Sequence, residues 1–160
     1  GGDMKSDRII PDLFRAISAK KPIKIRNPLS TRPWQHVLEP LMGYLTLGLA
    51  LFENKFKKDE IIPSWNFGPE VVSCKNVEYI IKYIINYINI DISIIKQSKK
   101  FKEQNLLMLD STKAKKELGW QTKMDINQSL EFTSDWYMNF YNEKNIYNFS
   151  NLQIEKYENL

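Results

Sequence analysis

Between residues 77 and 88 the apolar side chains fall at three- and four-residue steps: Val77, Ile80, Ile81, Ile84, Ile85 and Ile88. That spacing sets them on one stripe of an α-helix, and so wide a stripe folds only against other parts of a core. Ser73, just upstream, is the expected N-cap. The same period recurs over residues 9–19, with Ile10, Leu13, Phe14 and Ile17, where Pro11 is tolerated near the start and Pro22 closes the segment. It recurs again over 125–141, through Ile126, Leu130, Tyr137 and Phe140. Residues 34–55 are apolar nearly all round, at Val37, Leu38, Leu41, Leu45, Leu49 and Phe52, which reads as a mostly buried helix. Its most apolar stretch, 41–52, is only about half the ~20 residues of a membrane span.

Between these helices lie short strand signals. Residues 23–26 (IKIR) alternate apolar and basic side chains; 64–67 (SWNF) are stopped by Gly68 and Pro69; one strand is expected within 91–98 and another at 106–109. A short helix is expected from Asp110 and Ser111 to Gly119, a suitable residue for its left-handed end. Residues 27–33 and 57–60 read as connections, Lys99, Lys100 and Lys102 as a basic bend, and the Asn-rich residues 143–160 as a polar, loosely held tail after a 1–142 body. The expected class is α/β: helices with a few short strands, a lid-and-pocket subdomain rather than a complete doubly wound sheet.

The 160 residues suffice for one core. A net charge of +4 suits an anionic ligand but, with the lysines forming no stripe, does not single out nucleic acid. One cysteine, Cys74, and one histidine, His36, exclude an internal disulfide and a Cys/His zinc cluster. A reducing cytoplasm is the default expectation, with neither a signal peptide nor a membrane partner. The chain carries no Gly-rich dinucleotide loop after a strand, no phosphate-binding P-loop, no nucleophile elbow and no Tyr-x-x-x-Lys pair, so no catalytic constellation is expected within it.

Four signatures stand in order: GGD followed by DRIIPD (1–12), IRNPLSTRPWQHVLEP (25–40), WNFGP (65–69) and LDSTKAKKELGW (109–120). Their order resembles the C-terminal part of extended short-chain dehydrogenase/reductases acting on nucleotide sugars. Within that family the RNP…TRPWQHVLEP and GGD…DRIIPD forms are most similar to CDP-glucose 4,6-dehydratases. The resemblance covers residues 1 to about 142 and departs at Lys102-Glu103-Gln104, where relatives usually carry a His-Glu-Ala run. It implies a substrate-binding C-terminal subdomain whose Rossmann core lies outside this sequence, as in a truncated gene or partial sequence. The implied whole enzyme holds NAD, oxidises C4 of CDP-glucose, eliminates water across C5–C6 and returns the hydride to C6. This portion alone is expected to bind the nucleotide sugar and no cofactor, to be inactive, and to dimerise only as part of the whole. A sister dehydratase or 4-epimerase for dTDP-, UDP- or GDP-sugars is the neighbouring reading, and a non-catalytic basic module the reading from another class.

A nucleoside diphosphate favours guanidinium partners, which are planar, bidentate and permanently charged. Of four arginines, Arg8, Arg26 and Arg32 lie inside the signatures. The resemblance implies that Arg32 contacts the diphosphate and that Arg8 reaches the nucleotide. Arg26 alternates with Ile23 and Ile25 and so faces away from the core, toward a ligand or toward water. Asn66 is implied at the substrate; otherwise it tethers its loop. His36 has no carboxylate within sequence reach and reads as a hydrogen-bonding wall residue rather than a base. Trp34, Trp120 and Trp136 read as packing residues.

Overall fold

A computed structural model describes residues 3–56, 64–96 and 105–160. The chain order is α1 (Ile9–Ser18), β1 (Ile23–Ile25), β2 (Thr31–Arg32), α2 (Leu38–Phe52), β3 (Lys75–Asn76), α3 (Val77–Tyr87), β4 (Ile94–Lys96), α4 (Thr112–Leu118), α5 (Ile126–Tyr141) and α6 (Ile146–Glu158). The result is helix-rich with few strands, as expected. β1 and β4 pair in parallel, with Ile23 opposite Ile94 and Ile25 opposite Lys96. β2 and β3 pair antiparallel, with Thr31 opposite Asn76 and Arg32 opposite Lys75.

The isoleucine stripe does what its spacing requires. Ile80, Ile81 and Ile84 of α3 are fully buried with Leu13 and Phe14 of α1. Ile23 and Ile25 of β1, and Ile126, Leu130 and Tyr137 of α5, complete the same core. Phe14 and Tyr137 stack with ring centroids 4.6 Å apart. Two smaller clusters adjoin it, one of Phe67, Ala114 and Trp120, the other of Met124, Phe132 and Tyr157.

Several expectations are corrected. The N-cap of α3 is Asn76, whose carboxamide oxygen accepts from the Tyr79 N–H at 2.8 Å; Ser73 lies in a preceding 3-10 turn. The 27–33 loop contains β2, because the 75–76 segment supplies it with a partner. Residues 64–67 and 106–109 form no strand; pairing there amounts to one bridge between Thr31 and Leu106. The basic bend at 99–102, the 57–60 connection and the departure at 102–104 lie outside the described residues.

The largest differences concern α2 and the tail. α2 starts only at Leu38 and is not mostly buried. Its inner face is Glu39, Gly43 and Ala50, while Leu41, Tyr44, Leu45, Leu49 and Phe52 form an exposed stripe, Phe52 at 84% of its free surface. Gly43 allows a close approach, since a Cβ there would meet the Phe67 ring at 2.5 Å. Residues 143–160 are not a loose tail: α6 packs on α5, buries Gln153 and Tyr157, and the Gln153 carboxamide donates to the Phe132 carbonyl at 2.7 Å. Short polar side chains hide this helix, but Asn145 caps it by accepting from the Asn148 N–H at 3.1 Å.

Candidate functional site

The segment before α1, β1, the 26–36 loop and one face of α5 enclose a cavity of about 930 Å³. Its near wall is held from below. The Arg15 guanidinium donates to the Met4 carbonyl at 2.9 Å and the Lys5 carbonyl at 3.2 Å and pairs with Asp12. The Tyr137 hydroxyl donates to the Asp3 carbonyl, and burial pushes that phenol's pKa up to about 12. Neither residue stands out in the sequence as a positioning group.

Arg8, Arg26, Arg32 and His36 all line this cavity. Three positive guanidinium groups from two separate signatures therefore line one cavity. Arg8 immediately precedes α1. Arg26 follows β1 and lies 3.7 Å from the Asp7 carboxylate, a pair exposed on both sides and so worth little against a phosphate. Arg32, on β2, donates to the Thr31 carbonyl at 2.9 Å. Asn66 lies apart. It is exposed and donates to the Asp110 carbonyl at 3.3 Å, which ties the 65–68 segment to the start of α4.

The uncharged lining is as informative. Among the described residues, four buried side-chain polar atoms lack a hydrogen-bond partner: Asn27 Oδ1, Ser30 Oγ, Gln35 Oε1 and His36 Nε2. Each belongs to a residue lining this cavity. Buried polar atoms are nearly always paired, and these four are shielded from solvent as well as unpaired. Sequence reading singled out His36 alone; Gln35 is its neighbour in RPWQHV, and Asn27 and Ser30 carry no pattern of their own. His36 is 4% exposed, and burial lowers its pKa to about 4, leaving it neutral near physiological pH. Its ring meets Phe132 edge-on at 5.6 Å. Among the described residues no carboxylate pairs with the ring. Among the described residues no cluster of three or more His, Cys, Asp or Glu side chains forms a metal site, and no helix is long and apolar enough to cross a membrane.

The fold recurs in solved nucleotide-sugar enzymes. It matches UDP-glucuronic acid 4-epimerase from Bacillus cereus, in complex with UDP-glucuronic acid and NAD, with a TM-score of 0.71 at 17% identity, covering 86% of this chain and 41% of that one. It matches dTDP-glucose 4,6-dehydratase from Bacillus anthracis, in complex with NAD, with a TM-score of 0.67 at 18% identity over 86% and 41%. The architecture is that of the C-terminal part of an extended short-chain dehydrogenase/reductase. No family model matches the sequence. Direct comparison goes further: the chain is 37% identical over 138 residues to CDP-glucose 4,6-dehydratase of Salmonella typhimurium, covering 86% of this chain and 38% of that protein. The chain is thus similar, over the part it spans, to CDP-glucose 4,6-dehydratase, and shares the fold of the C-terminal part of nucleotide-sugar epimerases and dehydratases. It spans about two fifths of the length of the relatives it matches.

Proposed function

We propose that this chain is the nucleotide-sugar-binding part of a CDP-glucose 4,6-dehydratase, the enzyme type that converts CDP-D-glucose to CDP-4-dehydro-6-deoxy-D-glucose. One observation carries the reading: three of the four arginines line a single cavity. Arg8, Arg26 and Arg32 supply the diphosphate with bidentate cationic donors in a partly enclosed site, where such pairs gain strength. Sequence similarity to a CDP-glucose enzyme supports the cytidine choice. A UDP- or dTDP-sugar enzyme shares the fold, so the nucleotide is the point to test.

The hydride chemistry of such a reaction is supplied by NAD when bound. This sequence offers no Gly-rich turn between strand and helix to hold a dinucleotide pyrophosphate, so NAD does not fit the residues present, and no step is derived through it. The chain's own task is binding and orientation, and on its own it is inactive.

The test is calorimetric titration of the chain with CDP-, dTDP-, UDP- and GDP-glucose. The expected result is preference for CDP-glucose, with binding that weakens as salt rises and is lost in the Arg8→Ala/Arg26→Ala/Arg32→Ala triple variant. Equal binding by that variant overturns the clamp; a dTDP or UDP preference overturns the cytidine choice; turnover of CDP-glucose by the isolated chain overturns its assignment as a binding part.

A further inference from the structure

We propose that α6 is a positioning element of the cavity: Gln153 and Tyr157, one helical turn apart, set the stretch of wall to which His36 and Thr133 belong. The inference rests on the nucleotide-binding reading and names what holds one side of that site in place.

The two side chains reach the wall by separate routes. The Tyr157 hydroxyl donates to the Glu39 carboxylate at 3.1 Å, and the Glu39 N–H donates in turn to the His36 carbonyl at 3.1 Å. The Gln153 carboxamide donates to the Phe132 carbonyl at 2.7 Å. The Phe132 ring meets the His36 ring edge-on, with centroids 5.6 Å apart, and Thr133 is the next residue of α5. His36 and Thr133 belong to the cavity lining, whereas Glu39, Phe132, Gln153 and Tyr157 stand behind it. The contacts close a ring, from Tyr157 through Glu39, His36 and Phe132 to Gln153 and back along one turn of α6.

The manner of docking favours positioning over simple cohesion. Apolar burial is non-directional, and α6 has almost no net hydrophobicity with which to use it. Hydrogen bonds have preferred distances and angles, so a helix docked through them is fixed in register. Lys123 locks that register. Its N–H donates to the Glu39 carboxylate at 3.0 Å, and its ammonium group donates to the Tyr157 and Glu158 carbonyls at 3.3 and 3.0 Å. Every side chain of the ring is buried, where close packing transmits a displacement instead of absorbing it. Breaking one bond of the ring therefore frees the wall as well as weakening the fold. A ligand must then order that wall on binding, and its affinity falls.

The experiment titrates the intact chain with CDP-glucose by calorimetry. It also records the ring proton resonances of His36, the single histidine of the chain, with urea unfolding alongside. Tyr157→Phe and Gln153→Met each remove one bond of the ring and keep most of the side-chain volume. Each should weaken CDP-glucose binding about threefold to tenfold, at most the worth of one hydrogen bond. Each should also shift the His36 resonances before any ligand is added. Ser150→Ala is the control. It removes another bond between α5 and α6, from the Trp136 indole N–H to Ser150 Oγ at 3.0 Å, and it leaves the ring intact, so both readouts should stay at their wild-type values. Unchanged affinity in both ring variants overturns the proposal, whatever their loss in urea, because α6 then only stabilises. Lowered affinity with unmoved His36 resonances also overturns it, as does an equal affinity loss in Ser150→Ala. Should either ring variant fail to fold, the other decides. Failure of wild type to bind CDP-glucose is a different result and removes the nucleotide reading itself; the ligand-free resonances then still decide whether α6 sets the wall.

Discussion

The Tyr157 hydroxyl donates to the Glu39 carboxylate at 3.1 Å, joining the last helix to the first turn of α2 across most of the chain. Glu39 is fully buried and also accepts from the Met124 N–H at 2.8 Å and the Lys123 N–H at 3.0 Å. Three donors therefore surround one desolvated carboxylate, and removing it orphans all of them at once. Glu39→Ala should cost about 3–5 kcal/mol, whereas Tyr157→Phe, which deletes one donor, should cost about 1 kcal/mol. Urea denaturation of both variants checks the order; equal losses would show that the carboxylate does no more than bind Tyr157.

Three tyrosines of α3 meet three acceptors of α5 in register: Tyr79 with Asn127 at 3.1 Å, Tyr83 with Glu131 at 2.8 Å, and Tyr87 with Asp135 at 3.1 Å. Each helix repeats every four residues, so the rungs stack on one seam. Burial, with the facing carboxylates, pushes Tyr83 and Tyr87 up to about 12. A pKa raised on folding gives stability that is full below the unfolded value near 10 and lost as pH rises through the folded one. Thermal melts should therefore stay flat to about pH 10 and drop steeply above it, with a shallower drop in Tyr83→Phe. Phenolate absorbance should rise in two phases, the later one owed to Tyr83, Tyr87, Tyr137 and Tyr157; a single phase near 10 would contradict the seam.

What could be read from the sequence follows a physical divide. Periodicity reports which face of a helix is apolar, and it located α1, α3 and α5 because their partners lie in the same chain. It cannot report where the partner is, so the apolar α2 reads as buried although its stripe faces outward. A strand needs a neighbour to pair with, and for 64–67 none is found among the described residues. α6 went unread because its anchors are polar, Gln153 and Tyr157, on a helix with almost no net hydrophobicity. At the site, charge made Arg8, Arg26 and Arg32 legible, whereas Asn27, Ser30 and Gln35 join the cavity lining only through the fold, which single-residue chemistry does not encode.

The α2 stripe carries its own prediction. Exposed apolar stripes of this kind drive association. Leu45→Lys/Leu49→Lys changes two residues that face outward, so the melting temperature should move by no more than about 2 °C. Sedimentation velocity should show concentration-dependent self-association in wild type and its suppression in the variant. A fall of many degrees instead would show that these leucines pack within the chain.

His36 sets the acid side of the stability curve. Its pKa falls from 6.5 to about 4 on folding, because burial disfavours the imidazolium. With a folded pKa below the unfolded one, the unfolded chain binds the proton first; the stabilising contribution is complete above 6.5 and is lost as pH falls through about 4. The most this one group can withdraw is about 3 kcal/mol. Carboxylates of the fold titrate in the same window, so the informative quantity is the difference between proteins. Wild type should lose more stability between pH 7 and pH 4 than His36→Asn does, whatever the variant's starting point, when both are unfolded in urea at stepped pH. Parallel curves would mean that the ring takes up its proton without leaving its buried place, and that the cavity wall tolerates a charge beside Phe132.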